Sequence, residues 1–190
     1  MASGPIGDYV ARGGEKLAAA LDYFRVDPHG KRCCDLGSHV GGFVDCLLGR
    51  GASRVYSVDT AYGLLAWKLR RRPSVVVMER TNAMHCKLAE PVEIVTIDVG
   101  WTRQANVLPN VKNLIAPDAV VITLIKPHYE APRGLLKGGV LPDEEVDGVV
   151  ENVIDGVVAL GWEVRGRVDS PLRGHGGNRE VFALLARPRL

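Results

Sequence analysis

The sequence predicts an α/β domain: a doubly wound, mostly parallel seven-stranded sheet of the Rossmann-like kind, ending in an antiparallel hairpin. Three observations predict it. Short β-branched apolar runs alternate with segments whose apolar residues recur at helical spacing, the pattern of strands joined by crossover helices. The first run leads directly into a glycine-rich turn and a helix, Asp35-Leu36-Gly37-Ser38-His39-Val40-Gly41-Gly42-Phe43. The last two runs have only the loop DSPLRGHGGN between them, too short for a full crossover helix.

Each element follows from its own residues. Leu17, Ala20, Leu21 and Phe24 fall on one helical face, so a helix runs from about Gly13 to Phe24 and stops before Pro28 and Gly30. Arg32 to Leu36 is the first strand and Gly42 to Leu48 the helix after the turn. Arg54 to Val58 is the second strand, Leu64 to Arg70 a helix, and Ser74 to Met78 a valine-rich third strand. Val92 to Asp98 and Ala119 to Ile125 are two more strands, with Val107, Val111 and Leu114 marking a short helix between them. Val146, Val149, Val150, Val153, Ile154, Val157 and Val158 keep a helical period that Gly161 closes. Glu163 to Val168 and Arg179 to Ala186 make the final hairpin. Right-handed crossovers favour the doubly wound order. Ligands of such sheets bind beyond the C-terminal strand ends, where Asp35, Asp59 and Asp98 stand.

A length of 190 residues fits a single domain, taken as residues 11–190 after a flexible lead-in over 1–10. There is no run of eighteen apolar residues and no signal-like N-terminus, so no membrane association is expected and the reading is cytoplasmic. Cys33, Cys34, Cys46 and Cys86 form no metal or disulfide pattern and are read as reduced core residues, Cys33 and Cys34 facing opposite sides of their strand. His29, His39, His85, His128 and His175 are scattered, and no metal is expected. The net charge of +2 hides an asymmetry: Leu141 to Glu163 holds seven acids and no base, and outside it 24 Lys and Arg face 15 acids. A basic body fits a polyanionic partner; charges mixed in space over a solvated surface are the alternative.

The turn after the first strand has the form D-x-G-x-x-x-G-G. A dinucleotide site asks for G-x-G-x-x-G, and its second glycine falls here on His39, whose side chain would obstruct a pyrophosphate. S-adenosylmethionine has no pyrophosphate, so it fits the turn better than NAD; a purely structural turn is the third reading. Asp59, at the end of the second strand, is placed to accept hydrogen bonds from both ribose hydroxyls of an adenosine.

Methylating an alcohol requires a base. A lysine can act as one if its pKa is lowered from about 10.4; about three units cost roughly 4 kcal/mol, supplied by burial or a second cation. Lys126 closes a strand too apolar to expect a charge, and Asp98 ends another. Lys16 lies on the first helix and Glu180 opens the last strand. Surface charges or structural ion pairs are the alternative for each, and carry most weight for Lys16 and Glu180.

Eight segments, YVARGGEKLAAAL, DLGSHVGGFVDCLL, VYSVDTAYGLLAWKLR, ERTNA, IDVG, LIKPHYE, KGGVLPD and SPLRGHGGNREV, run in order from Tyr9 to Val181. Together they resemble the FtsJ-type RNA 2′-O-ribose methyltransferases, most closely the TlyA, or hemolysin-A-like, branch. The resemblance implies a Lys-Asp-Lys-Glu tetrad at Lys16, Asp98, Lys126 and Glu180, with Lys126 as the base. It implies a cofactor site at Asp35, Gly37, Ser38, His39, Gly41, Gly42, Phe43, Asp59, Thr60, Thr81, Asn82 and Asp98. The cofactor would be S-adenosylmethionine, leaving as S-adenosylhomocysteine. The implied substrate is ribosomal RNA, typically a cytidine ribose.

Departures bear on the target. His39-Val40 replaces the branch's Ser-Thr, Gly100-Trp101 a Ser-Phe, and Pro142 an Arg. The branch carries an N-terminal S4 domain, whereas about eight residues precede the first matching segment here. RNA selection is then expected from the domain itself, from a separate RNA-binding partner, or from a piece absent from this chain. Arg12, Arg70, Arg71, Arg72, Arg173 and Arg179 are the candidate phosphate contacts. Trp67, Trp101 and Tyr129 are candidates for stacking on bases, with Tyr129 preferred and Trp67 assigned to the core. A methyltransferase-like binding or assembly protein without turnover is the alternative function. The hemolytic, pore-forming label of the branch finds no apolar or amphipathic segment of suitable length.

Overall fold

The computed structural model describes residues 9–174 and 176–188. Of the expected lead-in, residues 1–8 lie outside them, as does His175. Tyr9 and Val10 are held: the Val10 N–H donates to Asp45 Oδ2 at 2.9 Å.

The elements run α1 (Gly13–Phe24), β1 (Arg32–Leu36), α2 (Gly42–Gly49), β2 (Arg54–Val58), α3 (Trp67–Arg70), β3 (Val75–Met78), β4 (Val92–Ile97), α4 (Gln104–Val111), β5 (Ile115–Ile125), α5 (Pro127–Glu130), a 3-10 turn (Arg133–Leu135), α6 (Asp143–Ala159), β6 (Glu163–Asp169) and β7 (Val181–Ala186). The sheet order is β3-β2-β1-β4-β5-β7-β6. The first five strands are parallel, and β7 lies antiparallel between β5 and β6. The strand order reverses between β1 and β4, so a crevice opens beyond their C-terminal ends.

Alternation along the strands divides the core into two layers. Cys33, Val55, Ile94 and Ile122 face α1, α2 and α3, packing on Leu17, Leu21, Phe43, Leu47 and Leu69. Cys34, Leu36, Val95 and Val121 face α4 and α6, packing on Val107, Leu108, Val111 and Val157. Cys33 and Cys34 thus point to opposite layers, as the strand period requires. The four cysteines are buried and unpaired.

Several expectations shift. β5 begins at Ile115 rather than Ala119. Val92 pairs with Ile115 and Ile94 with Val120, so β5 bulges where Pro117 offers no N–H to the ladder. The helix expected over Leu64 to Arg70 forms one turn only. That turn aims Leu69 inward, and Trp67, two residues away and about 200° around the axis, points to solvent at 69% exposure. The assignment of Trp67 to the core is therefore corrected. Val158, expected on the buried stripe of α6, is exposed because Val157 takes the inward position. The acidic segment does not stand apart: Arg173, Arg179 and Arg167 pair with Asp143, Asp147 and Glu151 of α6.

Candidate active site

The crevice is built by backbone that only glycine permits. Gly37, at φ +90°, follows β1, and a Cβ there would lie 2.5 Å from the Asp98 carbonyl oxygen. The ends of β1 and β4 therefore approach more closely than any side chain allows. Gly42 opens α2, and a Cβ there would sit 2.9 Å from the Gly14 nitrogen. The N-termini of α1 and α2 are in backbone contact, which seats Lys16 beside the strand ends.

A cavity of about 550 Å³ lies beyond β1, β2 and β4, within the range usual for small-molecule sites. Gly37, His39, Asp59, Thr60, Thr81, Asn82, Asp98 and Lys126 line it. Asp59 Oδ2 accepts from the His39 N–H at 2.7 Å and Oδ1 from the Ala61 N–H at 2.8 Å. Each oxygen keeps one lone pair for a hydroxyl. Thr81 and Asn82 are fixed by hydrogen bonds to the Glu79 carbonyl and from the Met84 N–H. Ala83, Met84 and Val99 supply apolar wall. These sequence reading passed over, because single apolar residues carry no local signal.

A smaller chamber, about 120 Å³, lies under the same turn, lined by Asp35, Ser38, Gly42, Phe43 and Asp98 with Ala11 and Gly13. Gly41 reaches neither space; its Cα is packed by Leu65 and Leu69. Asp35 is fully buried. The Thr96 hydroxyl donates to its Oδ1 at 2.7 Å, while Oδ2 has no partner. Burial foremost pushes the carboxyl up to about 8; the Thr96 bond opposes this and the charges of Asp98 and Asp59 add to it. An orphaned, buried carboxylate oxygen beside a chamber suits a cationic group. A ligand with a ribose diol at one end and an ammonium or sulfonium at the other matches both spaces.

The four charged residues meet as two ion pairs. Lys126 Nζ lies 2.6 Å from Asp98 Oδ1, both half-buried. Oδ1 receives no aligned hydrogen bond, so that contact is one of charge. Lys16 Nζ donates to Glu180 Oε2 at 2.6 Å, with side chains only 11% and 4% exposed. The β5–β7 register ends with Ile125 opposite Val181, which brings Lys126 and Glu180 to adjoining places past the strand ends.

Beside Lys126, the Trp101 and Tyr129 rings stack with centroids 5.0 Å apart, and Nζ lies 5.9 Å from the Tyr129 centroid. Trp101 is 89% exposed. His128 packs on Tyr129, and burial together with the Lys126 charge holds its imidazole below the usual range. Glu130 Oε1 accepts the Gln104 N–H at 2.7 Å, tying the segment after Lys126 to the segment after Asp98.

The arginines are mostly engaged. Arg12 donates to the Arg173 carbonyl, Arg173 grips Asp143, Arg179 contacts Asp169 and Asp147, and Arg70 pairs with Glu79. Arg71 and Arg72 are exposed and make no ion pair among the described residues. No group of His, Cys, Asp or Glu suited to a metal ion occurs among those residues, and no helix there is long and apolar enough to cross a membrane.

Known proteins resemble this chain in sequence and in fold. The FtsJ-like methyltransferase family matches residues 9–187. The chain is 40% identical over 182 residues to the 16S/23S rRNA (cytidine-2′-O)-methyltransferase TlyA of Mycobacterium tuberculosis, covering 93% of this chain and 68% of that protein. It is 34% identical over 181 residues to Hemolysin A of Brachyspira hyodysenteriae, covering 92% and 75%. A hemolysin-like protein of Lactococcus lactis superposes with a TM-score of 0.92 at 35% identity, covering 96% and 90%. An S-adenosylmethionine-dependent methyltransferase of Mesorhizobium loti superposes at 0.65 with 14% identity over 89% and 96% of the two chains, a likeness of fold. By sequence over nearly its whole length, this chain belongs to the FtsJ-like methyltransferase family.

Proposed function

We propose that this chain transfers the methyl group of S-adenosylmethionine to a ribose 2′-hydroxyl of ribosomal RNA, with a cytidine as the target. The observation that carries the reading is the Lys126–Asp98 pair, 2.6 Å apart, on the rim of the cavity whose opposite wall holds Asp59. When bound, S-adenosylmethionine supplies an electrophilic methyl carbon on a sulfonium centre. Asp59 would hold its ribose, Thr81 and Asn82 with the apolar wall its adenine, and Asp35 its ammonium. Lys126, once uncharged, takes the proton of the 2′-hydroxyl at Nζ. Asp98 aims that nitrogen from 2.6 Å away. Glu180 neutralises Lys16 and fixes its place. Trp101 and Tyr129 present stacked faces beside Lys126 where an unpaired target base would lie.

Residues 11–190 act as one catalytic domain in the cytoplasm. The ribosomal subunit or its RNA is the substrate body, and a separate RNA-binding partner can share the selection. Labelled S-adenosylmethionine with deproteinised ribosomal RNA or intact subunits tests the reading. Methyl incorporation is expected, falling about 10²–10⁴-fold in Lys126→Ala. Incorporation into 2′-deoxy substrate, or none into any RNA despite cofactor binding, refutes it.

A further inference from the structure

Apart from the rim, a surface among the described residues displays aromatic rings and arginines together. Tyr62 is 68% exposed, with Leu64 and Trp67 exposed beside it in sequence. Isolated exposed apolar residues are ordinary, but several within six residues mark a contact site. From Tyr62 to Arg80 there are five bases, Lys68, Arg70, Arg71, Arg72 and Arg80, against one acid, Glu79. Glu79 accounts for Arg70, and Asp45 for Lys68 at 3.0 Å. Arg71, Arg72 and Arg80 are left without an acidic partner among the described residues.

The surface is built rather than loose. Glu79 Oε1 accepts the Gly63 N–H at 2.7 Å, and the Arg80 N–H donates to the Ala61 carbonyl at 3.2 Å. These bonds hold the Arg80 guanidinium 4.4 Å from the Tyr62 ring centroid. Arg80 does so at φ +51°, a conformation non-glycine residues rarely take. The next residues, Thr81 and Asn82, line the cavity, so the surface is continuous with its rim.

We infer that Tyr62, Trp67, Arg71, Arg72 and Arg80 form a second docking surface for RNA, one that takes unpaired nucleotides flanking the target. The inference rests on the function proposed above and adds a substrate subsite to it. Arginines without acids match phosphates, and exposed ring faces match unstacked bases, which a duplex would not offer. A protein partner would have to bring its own acids.

The test uses the full chain and an end-labelled U12 oligoribonucleotide, followed by fluorescence anisotropy, beside a U12·A12 duplex. Tyr62→Ala and Trp67→Ala should each weaken U12 binding about five- to 150-fold, the range of one base–aromatic stack. Duplex binding should change less than twofold, and Trp67→Phe, which keeps a ring, should retain most of the affinity. The Arg71→Ala/Arg72→Ala variant should lower the slope of log affinity against log salt by about 0.7 for each phosphate it no longer neutralises. Unchanged U12 affinity in both aromatic variants overturns the inference. So does a concentration-dependent self-association that Trp67→Ala abolishes while RNA affinity stays constant. The two readings fail separately. Methylation by wild type with aromatic variants that bind U12 normally removes the surface alone. Binding of U12 through the surface with no methylation of any RNA removes the proposed function alone.

Discussion

Asp35→Asn gives the most direct reading of the site's electrostatics. The native carboxyl sits at about 8, against 3.8 for the ordinary group. Between those values the folded chain keeps a proton that the unfolded chain has released, so stability falls as pH rises from about 4 to about 8 and is level beyond. At about 1.4 kcal/mol per unit the ceiling is roughly 6 kcal/mol. An effective dielectric near 20 at buried sites reduces the measurable part to about 2–3 kcal/mol. Asparagine has nearly the same shape, keeps an oxygen for the Thr96 hydroxyl, and has no proton to lose. At about 2–4 °C per kcal/mol for a chain of this size, the melting temperature of Asp35→Asn should rise relative to wild type by about 5–10 °C between pH 5 and pH 9. Thermal unfolding followed by circular dichroism at five pH values measures it. Two curves that stay parallel across the range refute the argument that burial governs this carboxyl. Saturating S-adenosylmethionine should restore wild-type stability at pH 8 and do little for the variant, since the proposed ammonium partner answers the ionised form.

Three other perturbations separate stability from chemistry. Glu180→Ala leaves Lys16 charged and enclosed and should cost about 3–5 kcal/mol in urea unfolding, whereas Lys16→Met/Glu180→Leu should recover stability without recovering methylation. Glu130→Ala frees the Gln104 N–H and should lower kcat about tenfold by loosening the segment that carries Asp98; Glu130→Gln, which keeps the acceptor, should stay within threefold. Trp101→Ala removes one face of the stack and should raise the KM for RNA about two- to tenfold with kcat nearly constant in steady-state assays.

The parallel part of the fold was legible because most strands are short apolar runs closed by a turn, and because Asp35, Asp59 and Asp98 each stand within one residue of a strand's C-terminal end. Asp98 and Lys126 could be singled out for the same reason: a charge at the end of a buried strand is conspicuous. Lys16 and Glu180 could not, since one sits on an amphipathic helix and the other in a loop, and they meet across 164 positions in sequence. Only family likeness paired them with the others. Trp67 misled because its size suggests burial, whereas Leu69 takes the inward side of the turn and Trp67, two residues earlier, falls on the other. The arginines misled differently. Their number was visible, but which of them are already bound to Asp143, Asp147, Asp169 or Glu79 depends on contacts distant in sequence.

The antiparallel course of β7 has a practical consequence. Val181 starts opposite Ile125 at the reactive end, and Ala186 finishes opposite Val120, about 17 Å away at the foot of the sheet. Tyr9 to Gly13, by contrast, run alongside the small chamber, where Ala11 and Gly13 form part of the wall. A reporter attached to the β7 end at Ala186 would stand clear of the substrate, and one attached at Tyr9 would stand near the chamber. For labelling or tethering this protein, the two positions are therefore not interchangeable: one is a handle and the other a gatepost.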